Sequence, residues 1–190
     1  MADHLRIPPP TEPVADLVHA ALEAHAGASG ALALALGGEN RLERGGLAKT
    51  TSEDKVAASA MARLAVRAAN LPELDGYENA PPRGDHSHLN SAARVRVELR
   101  ASAPGRPGAK DRIERVLRVS LALLLDLTPT DIQALASSLW SSSPPVRVAG
   151  AFARFGGFGV PRLDGKTDDW TAAAFVEIQA FTTADSLSAS

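Results

Sequence analysis

Arg94-Val95-Arg96-Val97-Glu98-Leu99-Arg100 alternates charged and apolar residues without a break. Successive side chains of a strand point to opposite faces, so this pattern dictates a strand that is buried on one side and polar on the other. A strand cannot stand alone: its backbone needs pairing partners and its apolar side needs a cover. The chain must therefore supply further strands and something that lies on Val95, Val97 and Leu99.

A cover follows directly. After the link ASAPGRPG, residues 109–125 place Ile113, Val116, Leu117, Leu121 and Leu124 on one helical face, with Arg112, Glu114, Arg115 and Arg118 elsewhere. A second short helix is expected over 129–139, capped by Thr128 or Thr130 and stopped by SSSPP. Near the N-terminus, Val14, Leu17, Val18, Ala21, Leu22 and His25 share a face of a helix that starts around Thr11 and Pro13 and ends at Gly27. Strand partners are expected over 146–155 and 170–182. In the latter, Trp170, Ala172, Ala174, Val176 and Ile178 fall on one side and Phe175, Glu177, Gln179 and Phe181 on the other.

The middle of the chain is less regular. Residues 31–36, ALALAL between Gly30 and Gly37-Gly38, read as a strand, because the glycines leave little length for a helix. A charged loop or distorted strand follows over 41–49. Thr50 and Glu53 have capping-box spacing, and Val56, Ala57, Ala60, Met61, Leu64, Ala65 and Ala68 predict a second helix. Residues 70–90, with Pro72, Gly76, Pro81, Pro82 and Gly84, read as a long loop.

The expected plan is α+β: a small, mostly antiparallel sheet with helices packed on one face and a long C-terminal β-hairpin. Residues 1–10, ending in three prolines, form an extended arm. Residues 11–183 form one domain with a helix-and-loop insertion over 41–90, and 184–190 a flexible tail. At 190 residues the length suits one domain. Hydrophobic residues make up 45% but aromatics only 4%, so the core is thin and alanine-rich, and a partner surface would complete it.

Several chemistries are excluded or weakened. No cysteine is present, which removes disulfides, a thiolate nucleophile and Cys-ligated metal centres. The net charge of −2 gives no overall basic field. MADHLRIPPPTEP lacks the basic-then-apolar run of a secretion signal, and the apolar stretches are short for a membrane span, so a soluble protein made in the cytoplasm is expected. The serines, including Ser137, Ser138 and Ser141, sit in no nucleophile elbow.

Four candidate features remain. Asp85, His86 and His88 could ligate a metal in extended backbone, which would make the chain a small metal-dependent hydrolase; a solvated polar loop is the plainer reading, since no third histidine is near. A ligand-binding monomer using the 70–90 loop is a further alternative. Phe155-Gly156-Gly157-Phe158-Gly159 lacks the Lys-Ser/Thr ending and following helix of a phosphate loop. It reads as a bend or bulge in the hairpin, closed by Leu163-Asp164-Gly165-Lys166. Asp164, Asp168 and Asp169 could bind a cation, but charges at a hairpin tip commonly serve solubility. Arg94, Arg96 and Arg100 share one strand face, either as a solvated face balanced by Glu98 or as a surface that meets another subunit or nucleic acid.

The C-terminal half, RVRVELRAS, then KDRIERVLRVSLALLL, then VRVAGAFARF and DDWTAAAFVEIQAF, resembles the tail terminator, or tail completion, proteins of tailed bacteriophages. The resemblance spans about residues 11–36 and 93–183, and 41–90 departs from the family plan. It implies a non-enzymatic virion protein without cofactors, found in the tail or neck. Such a protein assembles as a ring, typically a hexamer, on the end of the tail tube. The ring stops tube polymerisation and meets the head connector, and genomic DNA passes through it without specific binding. Subunit contacts would come from Arg94, Arg96, Arg100, Phe155, Gly156, Gly157, Phe158, Asp164, Lys166 and Trp170, with no membrane involved.

Overall fold

Helix α1 (Thr11–Glu23) is followed by α2 (Ala31–Leu36) and strands β1 (Leu42–Arg44), β2 (Arg63–Ala68) and β3 (Ala92–Pro104). Helices α3 (Ala109–Leu125) and α4 (Pro129–Leu139) come next, then strands β4 (Val146–Phe155), β5 (Arg162–Leu163) and β6 (Asp169–Thr182). The structure, a computed structural model, describes residues 11–38, 41–47, 61–69, 92–141, 145–165 and 168–182. The six strands form one mixed sheet in the order β1-β2-β3-β6-β4, with β5 also paired to β6. Only β1 and β2 run parallel; every other pairing is antiparallel. This is the α+β plan that the alternating strand and the amphipathic helices require.

β3 is central and long. It pairs with β6 from Ala92↔Phe181 to Pro104↔Asp169, and with β2 from Arg63↔Ser102 to Ala68↔Val97. Val95, Val97, Leu99, Ala101 and Ala103 are buried beside Ala172, Ala174, Val176, Ile178 and Ala180 of β6. Over them lie α1, against β1 to β3, and α3, against β3, β6 and β4. Leu17, Leu22, Ile113, Leu117, Leu124 and Ile132 are fully buried in this layer. The small side chains on the sheet let the helices approach closely, which is how an aromatic-poor chain fills its core. α4 begins with a capping box: the Asp131 N–H donates to Thr128 Oγ1 (3.2 Å), and the Thr128 N–H donates to Asp131 Oδ2 (2.9 Å).

Arg44 ties β1 to α1. Its register partner is Val66, so it points to the helix side, where its Nε donates to Asp16 Oδ1 (2.7 Å) and its terminal nitrogen pairs with Glu12. Burial works against the Arg44 charge, but the hydrogen bonds to Asp16 and Glu12 outweigh it and raise its pKa.

Two segments differ from the sequence expectation. Residues 31–36 are helical, not a strand. A strand would put Leu32, Leu34 and Leu36 on one side; the helix buries Leu32 and Leu36 fully and leaves Leu34 74% exposed. The flanking glycines are its ends. A Cβ at Gly30 would collide with the His25 carbonyl, and Gly37 closes the helix in the left-handed region (φ 79°) with its N–H on the Ala33 carbonyl. Residues 63–68, expected within a helix, are strand β2, so together with β1 they belong to the sheet. Leu64, Val66 and Ala68 face the core, while Arg63, Ala65 and Arg67 alternate to the other side. The rest of that expected helix, 51–60, lies outside the described residues, as do the arm 1–10, the loop 70–90 and the tail 184–190.

The C-terminal hairpin joins β4 to β6 through an excursion that contains β5. β4 carries a bulge: Ala149 pairs with Gln179 but Ala153 with Glu177, so three residues of β4 oppose Ile178 alone. Gly150, at φ 81°, supplies the left-handed backbone of the bulge.

Candidate interaction surface

None of the described helices packs on the second face of the sheet, which is polar by alternation. β3 sends Arg94, Arg96, Glu98 and Arg100 to this side, between its buried valines and leucine. β2 adds Arg63 and Arg67, and β1 adds Glu43. Glu98 is only 7% exposed. Arg67 donates to its Oε2 from Nε (2.7 Å) and Nη2 (2.6 Å), and Arg100 Nε lies 3.9 Å from its Oε1. The register places Arg67 directly opposite Glu98, which is what allows this two-pronged contact.

Next to this pair, Arg96 lies opposite Glu177 and donates to its Oε2 (3.5 Å). The Arg96 guanidinium also sits 3.4 Å from the centroid of the Phe155 ring, and Phe155 is paired in register with Phe175. Arg96 is thus held by a carboxylate and an aromatic face together. Arg94, opposite Gln179, is exposed and has no ion-pair partner among the described residues. Sequence reasoning named Arg94, Arg96 and Arg100 but missed Arg67, because it lay in a segment expected to be helical. It also missed Gly150 as the bulge; a glycine inside a strand pattern was the available signal.

Of the remaining candidates, Phe158 and Trp170 lie on the helix side of the hairpin, beside Arg118 and Lys110 of α3. Phe155 ends β4, and Gly156 turns the chain at φ 69°. Phe158 then lies between two guanidinium groups, Arg154 at 4.6 Å and Arg118 of α3 at 5.9 Å from its centroid. The Gly159 N–H donates to the Ala173 carbonyl (2.9 Å), and a Cβ there would sit 3.0 Å from that oxygen. So the glycine run carries the chain off β4 and back onto β6. Beyond it, Val160 is 76% and Leu163 51% exposed. Trp170 packs under Lys110 at 4.1 Å. Asp164 closes the turn: its N–H donates to the Asp169 carbonyl (2.8 Å), and its own carbonyl accepts from the Asp168 N–H (2.9 Å). The ten expected contact residues therefore do not form one cluster. They divide between the two sides of the sheet, apart from Lys166, which lies outside the described residues.

Asp85, His86 and His88 also lie outside the described residues. Among the described residues no group of three His, Asp or Glu side chains could hold a metal ion, and no single helix is long and apolar enough to cross a membrane. No protein-family model matches the chain, and no curated protein matches it in sequence.

Proposed function

We propose that the chain is a non-enzymatic, ring-forming tail terminator or neck component of a tailed bacteriophage, which caps the tail tube and meets the head connector. The observation that carries this reading is the C-terminal hairpin. Two long strands, Val146–Phe155 and Asp169–Thr182, flank an excursion with exposed Val160 and Leu163. Exposed apolar side chains on a connection laid along the sheet edge suit a contact with a neighbour. In a ring, each subunit would offer this hairpin to the next through a heterologous contact that closes by rotation. The aromatic-poor core is compatible with a fold completed by its neighbours.

The direct test is to co-express the full chain with the polymerising tail tube protein and to image the product by electron microscopy. Tubes of limited length with a ring of this chain at one end are expected. Tubes that grow to unrestricted length, with the chain absent from their ends, would overturn the proposal.

A further inference from the structure

Among the described residues, the face of the sheet opposite the helices carries more arginines than carboxylates. Its strand residues include four arginines beside acids: Arg63, 3.9 Å from Glu43, and Arg67, Arg96 and Arg100 at Glu98 and Glu177. Three more have no ion-pair partner among the described residues: Arg94, Arg147 and Arg162. Arg147 alternates with buried Val146 and Val148, and Arg162 is paired with Thr171, which alternates with buried Ala172; both therefore point to this side. Against these seven stand Glu43, Glu98, Asp169 and Glu177, which leaves an excess of three positive charges among the described residues of the face. The whole chain is negative, at −2, so the excess is local to this face.

We infer that this face binds the phosphate backbone of double-stranded DNA without reading its sequence. Two features favour DNA over a protein partner. Charge, including Glu98 and Glu177, occupies the middle of the face as well as its margin, whereas the centre of a protein interface is depleted of acidic residues. The cations of its described strands are arginines, whose planar fork suits phosphate oxygens as it suits carboxylates. The unpaired arginines are also spread out. Arg94 and Arg147 lie two strands and two residues apart, about 10 Å across and about 7 Å along the sheet. Arg162 aligns with Ser102, eight residues along β3 from Arg94, or roughly 27 Å. That length matches about eight base pairs of duplex, as phosphate tracking needs and as a single-anion pocket does not.

The inference rests on the proposed role only for the identity of the polyanion, since a ring on a tail tube would have genomic DNA crossing it. The test is fluorescence anisotropy of the full chain with a short labelled duplex of mixed sequence. Binding should weaken with salt at a log–log slope of at least about −2.7 for three phosphate contacts, or about 40-fold between 50 and 200 mM. Changing Arg94, Arg147 and Arg162 to Gln together should remove most of that slope, and each single change about one third of it. Arg115→Gln, on the exposed side of α3, should leave it unchanged. Light scattering on the same samples reports assembly separately. A ring that ignores DNA overturns this inference but not the proposed function; DNA binding by a chain that leaves tail tubes uncapped supports this inference and overturns the proposed function. Binding that is indifferent to the triple change, or equally well competed by polyglutamate per unit charge, overturns the assignment, the latter in favour of an acidic protein.

Discussion

Gly156 and Gly157 stand side by side, but the structure separates what they do. Gly156 adopts φ 69°, a left-handed backbone, while at Gly157 an added Cβ meets nothing within 4 Å and the backbone is outside that region. Valine at Gly156 would pay about 1–2 kcal/mol for the left-handed conformation, at the upper end because it is β-branched. The lower entropy of its unfolded chain returns about 0.4–1 kcal/mol. A net loss of about 1 kcal/mol is expected, and with an m-value of about 2 kcal/mol/M the urea midpoint should fall by about 0.5 M. Gly157→Val should stay within about 0.5 kcal/mol of the wild type. A Gly156→Val protein as stable as the wild type, or a Gly157→Val protein that loses more, would refute this account of the turn. The two variants then divide folding from assembly. If the hairpin excursion is a subunit contact, Gly157→Val should impair capping of the tail tube while the monomer keeps its stability. The double valine change combines both effects and is the less informative variant.

Other consequences are open to measurement. A double-mutant cycle of Glu98→Gln and Arg67→Gln by urea denaturation should give a coupling of about 1–2 kcal/mol: the two hydrogen bonds are charge-assisted, but the Arg67 side chain is 40% exposed. A coupling under about 0.3 kcal/mol would show that the pair is held by neighbours and not by attraction. Leu99→Ala, in the middle of β3 and fully buried, should cost about 2–5 kcal/mol and lower the melting temperature. Hydrogen bonds from the Thr128 side chain and then its backbone hold the Asp131 carboxyl below the usual carboxylate range. Its folded pKa is the lower one, so its contribution is present above the ordinary carboxylate pKa of about 4 and is lost as pH falls through the folded value. The difference in urea midpoint between wild type and Asp131→Asn should therefore be constant at neutral pH and close as the solution is acidified below that range.

How far the sequence could be read depended on whether two periodicities competed. Arg94 to Arg100 alternates charge with valine and leucine, types that also prefer strands, so local preference and pattern agree and β3 was legible. Over 109–125 the leucine spacing fits only a helix, and Thr128 with Asp131 marks the start of the next one. The failures came from alanine. In 31–36 it fills every second place, so the leucines alternate and imitate a strand, yet alanine is small enough to sit anywhere on a one-turn helix between two glycine ends. In 63–68, Leu64 and Ala68 have helical spacing, while the true signal was the alternation of Arg63, Ala65 and Arg67 away from the core. Alanine prefers helix, and pairing with β3 overrode that preference. The same error hid the interaction surface. Once Arg67 is taken for a helical residue, Glu98 loses its closest counter-ion, the positive face shrinks to one strand, and its excess charge cannot be counted. The arginines were visible singly, but only sheet register joins β2 to β6 into one surface. Register across strands this far apart in sequence is set by tertiary packing, not by local pattern.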